Sequence, residues 1–348
     1  MAYGLCTENQ PVKMPEINET PLPSPDQGRP IFQPWHSFDP AHAQWIPTRS
    51  SLPGDPVQPV HEKDTSDLVL VTWNIDSGAE RAKDRAAALI TFITDIEPKV
   101  DIVFLQEVSR SALEQILSDD RVRQNWFSSE GGHRSWGTRS FSTATLVSKT
   151  RFASHCDPGK SNPSLGPAWR VKYPSRYARD ALFCDIFLSS PDESTPSSPI
   201  TPTRLVNVHL DSLPIKPSFR PQQISILSAF LSAAGRGLVA GDFNPVLEED
   251  ANLVEDNGLT DVWKSLRPQD PGYTWGVDGT KRFPPARLDK VAVLGLKPTN
   301  IRVLEPQVLE QPSSYIPSPE GFTSTDDVPW SDHHGLLCSF SQSLNDAN

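Results

Sequence analysis

The chain has 348 residues, 35 of them Pro, and a formal net charge of −11 at neutral pH. An acidic chain lacks the overall positive footprint of a non-specific nucleic-acid binder, so a nucleic-acid substrate would have to be held by a local basic patch and a metal. No apolar run is long enough to span a membrane, Met1 to Leu5 carry no secretory pattern, and Cys6, Cys156, Cys184 and Cys338 show no paired spacing, so reduced thiols in an intracellular protein are expected, nucleus and cytoplasm undistinguished.

Residues 1–65 read as a Pro-rich extension, disordered over 1–33 and a linker over 48–65. Between them Phe32, Trp35, Phe38 and Trp45 carry large apolar surface, so 32–47 is expected either to lie along the domain or to bind a protein partner. Residues 66–342 are expected to form one domain, of about 280 residues, a size a single core can reach. Residues 343–348 read as a disordered tail.

Asp67 to Asp76 reads as an apolar strand ending on Asn74 and Asp76. Glu80–Ile96 has Ala86, Leu89, Ile90 and Ile93 on one helical face. Asp101 to Glu107 is a second buried strand, ending on Gln106 and Glu107, and a helix is expected from Ser109. Trp169 to Arg179 interleaves rings with Arg170, Lys172, Arg176 and Arg179. This composition suits a single nucleic-acid strand, with cations for phosphates and rings for stacking. A solvated loop and edge strand explains it equally well. Residues 189–202 read as a surface loop, and Arg204 to His209 as a third strand. Pro221–Ala234 has Ile224, Leu227 and Leu231 on one helical face, with Pro suited to the first turn.

Gly237 to Ala240 is a short apolar run that leads into Gly241-Asp242-Phe243-Asn244. A carboxylate and a carboxamide delivered together at a strand end suit a hard cation, a water nucleophile and phosphate oxygens. Alone the motif is ordinary turn chemistry. Arg287 to Val291 opens a further strand with Asp289 embedded in it, and Ser331-Asp332-His333-His334 precedes the last strand, Leu336 to Phe340. Polar groups at several strand ends can converge on one rim of a sheet, where buried carboxylates need a partner or a metal.

In this order, Trp73-Asn74-Ile75-Asp76, Leu105-Gln106-Glu107-Val108, His209, Gly241-Asp242-Phe243-Asn244, Arg287-Leu288-Asp289 and Ser331-Asp332-His333 resemble the endonuclease/exonuclease/phosphatase superfamily. Asp261-Val262-Trp263, Tyr273-Thr274-Trp275, Asp332 to Cys338, and Arg220 with Gln223 look most like its 5′-tyrosyl-DNA phosphodiesterase branch. The resemblance implies an α/β fold: a four-layer α/β sandwich, two packed mixed β-sheets flanked by helices. It implies a Mg²⁺-dependent phosphodiesterase, with Mn²⁺ as a substitute, acting on single-stranded or 5′-end DNA that carries a phosphotyrosyl-type adduct. Glu107 would be the principal metal ligand, with Asp76 beside it and Asp332 as an outer ligand. Asp242 would activate water, with Asn244 fixing its position. His333, paired with Asp289, would contact a phosphate oxygen, as would His209, with Asn74 beside the metal. Trp275 would stack beside the 5′ end of a DNA substrate, or with Tyr273 simply cover the core, while Arg170, Lys172 and Arg179 are expected to bind substrate on the composition of their stretch. His334 would pack or bond locally. Phe141 stands where the family often has a Tyr, so the register is displaced there or a phosphate contact is missing. The rivals are an abasic endonuclease, an RNA deadenylase, an inositol phosphatase, a sphingomyelinase, or a catalytically idle scaffold that binds through 32–47.

Overall fold

The computed structural model describes residues 28–48, 50, 67–152, 164–188, 202–310 and 328–341. The expected linker, surface loop and C-terminal tail fall outside these residues, apart from Thr48, Ser50 and Pro202, as do Cys6 and Cys156. Cys184 and Cys338 are buried free thiols.

The strands in chain order are β1 (Pro30–Gln33), β2 (Trp35–Asp39), β3 (Gln44–Thr48), β4 (Leu68–Asn74), β5 (Ile102–Ser109), β6 (Trp126–Ser128), β7 (Phe141–Ser148), β8 (Ser164–Lys172), β9 (Asp180–Phe187), β10 (Thr203–His209), β11 (Gly237–Asp242), β12 (Thr260–Asp261), β13 (Asp289–Leu294), β14 (Lys297–Leu304) and β15 (Gly335–Ser341). The helices are α1 (Ala82–Asp95), α2 (Arg110–Ser118), α3 (Asp120–Asn125), α4 (Arg220–Ala234) and α5 (Val262–Leu266).

One sheet has seven strands in the order β1-β8-β9-β10-β11-β13-β12, and the other has eight in the order β14-β15-β4-β5-β7-β6-β2-β3. Both are mixed, because β10 runs parallel to β11 and β4 parallel to β5. Their inner faces meet in one core that includes Leu70, Phe104, Ile186, Leu205 and Leu238. The outer face of the eight-stranded sheet packs on α1 and α2 through Val71, Leu105, Leu89 and Ile116. The outer face of the seven-stranded sheet packs on α4 through Val206, Val239, Ile224 and Leu231. Four layers result, as the family resemblance implied. Strands buried on both faces read as continuous apolar runs, which is why β4, β5 and β11 stand out in the sequence.

Each sheet holds one parallel pair, and the pairs end on the same rim. Asn74 lies beside Gln106 in one sheet, and His209 beside Asp242 in the other. Antiparallel β13 then sets Asp289 directly opposite Asp242. The fold thus delivers the polar strand ends to one place.

Residues 30–33 form a strand, not the disordered chain expected from their Pro-rich context. β1 completes the seven-stranded sheet against β8, and after Pro34 the chain crosses to the other sheet, where β2 pairs with β6. Trp35 is buried between the sheets and donates its Nε1–H to Gly166 O at 2.9 Å. Trp45 donates to Leu117 O at the end of α2, also at 2.9 Å. Among the described residues no helix is long and apolar enough to cross a membrane.

Trp35→Ala is expected to lower unfolding stability by ~3–5 kcal/mol, the usual cost of emptying a buried aromatic site. Ile31, 53 % exposed on β1, should tolerate Ala, with a change within about 0.5 kcal/mol. Chemical denaturation of both variants checks this, and equal stabilities would show that the arm contributes no packing.

Candidate active site

Three of the expected site residues, Asp76, Glu107 and Asn244, have positive φ values of 52°, 53° and 46°. Non-Gly residues reach this region at a cost, and such positions concentrate where side-chain direction matters more than backbone comfort. β5 also carries a register irregularity against β7 between Leu105 and Val108. That bulge lets consecutive residues serve different partners. Gln106 donates to Asn207 Oδ1 of the opposite sheet at 2.8 Å, while Glu107 faces Asn74 and Ser77. Gly241 has φ 141°, and a Cβ there would lie 2.0 Å from Val208 O, so only Gly admits the close approach of β10 and β11 just before Asp242.

Asn74 is the bridge. Its Nδ2 donates to Asp242 at 3.0 Å and to Glu107 at 3.3 Å. The other Asp242 oxygen accepts the backbone N–H of Asn244 at 3.0 Å. Glu107 also accepts the Ser77 hydroxyl at 2.7 Å and the Ser77 N–H at 3.1 Å. Burial, then the proximity of Asp289 and Glu107, raises Asp242 to about 7, against the opposing pull of His333 and Asn74.

The two histidines are in opposite states. His333 Nδ1 pairs with Asp289 Oδ2 at 2.8 Å. Burial opposes its charge, but Asp289 and then Asp242 and Asp332 lift it to about 10. It is therefore an imidazolium at neutral pH, with Nε2 4.0 Å from Asp242. His209 is pushed well below its usual value by burial, then by Arg179 and His333, so it is neutral. An Arg179 N–H donates to His209 Nδ1, so the His209 proton sits on Nε2. That Nε2 lies 3.4 Å from Asp242 and 3.7 Å from Glu107, with no hydrogen-bond partner.

Asp76, Glu107 and Asp332 supply the acidic side. Asp76 is raised by burial first and then by Asp332, with Glu107 adding to the repulsion against the opposing pull of Arg85. Asp332 accepts Trp275 Nε1–H at 3.1 Å and Lys281 Nζ at 2.9 Å. Burial would raise Asp332, but His333 and Lys281 hold it below its usual value. Among the described residues, no three His, Cys, Asp or Glu side chains close into a ready-made metal cage. Mg²⁺ does not need one, since it keeps several waters and binds through one or two carboxylates. Like-charged oxygen donors whose repulsion raises a pKa fit a hard cation.

The residues expected on the strand ends thus converge: Asn74, Glu107, His209, Asp242, Asn244, Asp289 and His333. Arg179 joins them, lining a cavity of about 220 Å³ with Phe141, Tyr177 and His209. Phe141 does face this space, its ring 6.2 Å from that of His209 and 5.1 Å below the Arg179 guanidinium. Trp275 is half-buried, while Lys172 is exposed on β8. The His334 backbone N–H donates to Thr274 O at 2.7 Å.

Arg170 departs from expectation. It is buried, and its N–H groups are spent inward on Gln33, Thr143, Asp180 and Glu130. Arg170 and Lys172 lie on the same face of β8, but Arg170 sits within the sandwich with all its N–H groups engaged, whereas Lys172 is the exposed last residue of the strand, so Arg170 has no donor left for a phosphate. Supporting residues outside the motifs are Ser77 and Arg85, and within them Ser331 and Thr274, to which the sequence assigned no role. Ser331 Oγ donates to Asn74 O at 2.6 Å and accepts His333 N–H at 3.0 Å. Thr274 Oγ1 accepts the N–H groups of Leu288 and Asp289. Arg85 donates to Ile75 O at 3.1 Å and Trp330 O at 2.9 Å, tying together the loops that carry Asp76 and Asp332. A signal for Arg85 exists: it sits four residues before Leu89, on the buried face of α1. Small hydroxyls within or beside a motif carry no such mark.

The Endonuclease/Exonuclease/phosphatase family matches the chain over residues 71–333. Solved structures share the architecture at low identity. D. rerio TDP2 complexed with single strand DNA product aligns with TM-score 0.58 at 20 % identity, over 79 % of this chain and 99 % of that one. TDP2 from C. elegans aligns with TM-score 0.54 at 19 % identity, over 80 % and 77 %. A family protein from Bacteroides thetaiotaomicron aligns with TM-score 0.51 at 14 % identity, over 84 % and 99 %. No curated protein sequence matches the chain significantly.

The Arg170 network generates a stability test. Arg170→Met leaves Glu130 and Asp180 buried with a cation missing, and should cost ~3–5 kcal/mol. Lys172→Ala should change stability by less than about 0.5 kcal/mol. Burial opposes the Asp180 charge, but Arg170 and Arg139 hold its pKa below the ordinary 3.8. Its contribution is therefore present above pH 3.8 and lost as pH falls through the lower folded-state value. Asp180→Asn should flatten the acid limb of the stability profile, and an unchanged limb would show that Asp180 carries no such linkage.

Proposed function

The chain belongs to the endonuclease/exonuclease/phosphatase family, and we propose that it is a Mg²⁺-dependent phosphodiesterase that hydrolyses a phosphate ester by attack of water. The observation that carries this reading is the setting of Asp242. It is a buried carboxylate, fixed at both oxygens by Asn74 and Asn244, with a neutral His209 and a cationic His333 facing the same space.

Asp242, raised to about 7 by burial, is matched to taking a proton from water near neutral pH. Asn74 and the Asn244 N–H hold its orientation. His209 has its proton on Nε2 and offers a neutral donor to a phosphate oxygen. His333 offers a charged donor, because Asp289 engages Nδ1 and leaves Nε2–H free to act. Arg179 adds a second fixed positive charge at the cavity wall, where negative charge develops on the phosphate in the transition state. Glu107, with Asp76 beside it and Asp332 further out, would hold Mg²⁺, which when bound neutralises phosphate charge and polarises a phosphate oxygen.

The substrate reading is a DNA 5′ end, with a tyrosyl-type adduct as the leaving group. It is supported by the likeness to D. rerio TDP2, which was solved with a single strand DNA product. It is also supported by ring and cation surfaces at the site: Trp275 with Lys281 5.7 Å from its ring, Tyr177 with Arg179, and exposed Lys172 on the neighbouring strand. Each could take a base or a phosphate of a single strand.

Purified protein with Mg²⁺ should cleave a 5′-tyrosyl oligonucleotide in preference to abasic duplex, RNA, an inositol phosphate or sphingomyelin. Preference for a lipid or inositol phosphate would sink the DNA reading and leave the phosphoesterase reading intact. Glu107→Ala should lower turnover at least ~10³-fold with the fold unchanged, from lost electrostatic stabilisation. Full activity in excess chelator would remove the metal from the account.

Trp275 allows a finer test, since its N–H holds Asp332 while its ring is half-exposed. Trp275→Ala should weaken oligonucleotide cleavage by ~1–3 kcal/mol of lost stacking. Trp275→Phe keeps a ring and loses only the Asp332 bond, so it should retain most of that cleavage. Equal losses in both variants would make Trp275 a support for Asp332 and nothing more.

A further inference from the structure

Asp211 lies two residues past His209, buried, where the chain leaves β10 for α4. Its carboxylate accepts the Ser175 hydroxyl, the Arg176 backbone N–H at 2.8 Å and Gln223 Nε2 at 3.0 Å. Gln223 closes the arrangement: its Oε1 accepts Asp211 N–H at 3.2 Å and its Nε2 also donates to Pro174 O at 2.7 Å. From the other side Arg220 donates to the carbonyls of Asp211 and Leu213. Asp211 is therefore anchored to α4 and grips the turn between β8 and β9.

The grip continues through Ser175. Having donated to Asp211, Ser175 Oγ accepts the backbone N–H groups of Tyr177 and Arg179, each at 3.0 Å. The turn itself buries little, since Arg176, Tyr177 and Ala178 are exposed, and Ala178 takes a positive φ of 54°. What the turn delivers is Arg179. That side chain reaches inward, donates to His209 Nδ1 and to Ser212 Oγ at 3.2 Å, and lies across Phe141. A buried carboxylate is costly. Here it fixes an exposed turn whose main inward product is one guanidinium at the reaction space.

We propose that Asp211 is a positioning residue for the hydrolysis, acting through the Ser175 turn to set Arg179 against His209 and so to keep the His209 proton on Nε2, facing Asp242 and Glu107. The proposal rests on the phosphodiesterase reading above. It assigns Asp211 no contact with substrate. It also predicts that Asp211, Ser175 and Arg179 behave as one unit in kinetics.

The test is a double-mutant cycle on a small chromogenic phosphodiester, bis(4-nitrophenyl) phosphate with Mg²⁺. Asp211→Ala and Ser175→Ala should each lower kcat/KM by ~10-fold or more, mainly in kcat, and by less than ~2-fold further in an Arg179→Ala background, because residues acting through one another are non-additive. Losses that multiply in the double variants, or an Asp211→Ala enzyme as active as the parent, would overturn the proposal. If Asp211→Ala fails to fold, Ser175→Ala carries the cycle, since that substitution removes only the hydroxyl that joins Asp211 to the Tyr177 and Arg179 amides. Amide hydrogen exchange at Tyr177 and Arg179 separates this proposal from the functional reading it rests on. A parent protein inert on every phosphodiester would defeat that reading, whereas unchanged exchange in Asp211→Ala and Ser175→Ala would defeat the anchoring itself.

Discussion

The site depends on the carboxamide of Asn74, which donates across the gap between the sheets to Asp242 while also reaching Glu107. Two carboxylates from different sheets cannot be brought together in a buried place without something between them. A neutral amide separates them and satisfies an oxygen of each. The neighbouring inter-sheet contact, Gln106 to Asn207, does the same mechanical job one layer deeper, with Asn207 also donating to Ala144 O at 2.9 Å. The sandwich is thus apolar over most of its inner face and stitched by amides where it opens on the site.

Charge in this acidic protein is arranged by depth. The deep cations, Arg170 and Arg204, are matched to carboxylates at 2.7–2.9 Å and hold strands together. Arg179 and His333 are also inside, but they face the strand ends, where Asp242 and Glu107 leave negative charge. Burial works in opposite senses on neighbouring groups: it raises Asp242 and suppresses His209, while Asp289 first, then Asp242 and Asp332, rescue the charge on His333. One buried environment therefore yields a raised carboxyl, a neutral imidazole and an imidazolium, according to which partner each side chain has.

The N-terminal arm and the turn that carries Arg179 are linked to this arrangement by the same ionic network. Gln33 of β1 accepts from Arg170, Arg170 engages Asp180, and Asp180 also holds Arg139 in the cavity wall at 2.6 Å. Asp180 opens β9 immediately after Arg179. The edge of the seven-stranded sheet therefore supports the site as well as closing the fold.

The sequence by itself determined the layered α/β architecture, because β4, β5, β10 and β11 are apolar runs and the faces of α1 and α4 repeat at helical spacing. It also showed where three of those strands end, since Asn74, His209 and Asp242 break the runs abruptly, whereas β5 runs two residues past Glu107 to Ser109 through its bulge. Periodicity reports that a side chain is buried or that a strand stops. It does not report which strand lies beside it, so the direction of Arg170, spent on Glu130 and Asp180, could not be read from a stretch that looks equally suited to binding a polyanion. The strand made by Pro30–Gln33 was hidden for the same reason: its partner, β8, is more than a hundred residues away, and its local composition is that of a tail. Only the tertiary structure decided the proton position on His209, the separation of the two histidines into neutral and charged forms, and the grip of Asp211 on the Arg179 turn. Each of these depends on distances between groups far apart in the chain, and electrostatics and hydrogen bonds act on those distances alone.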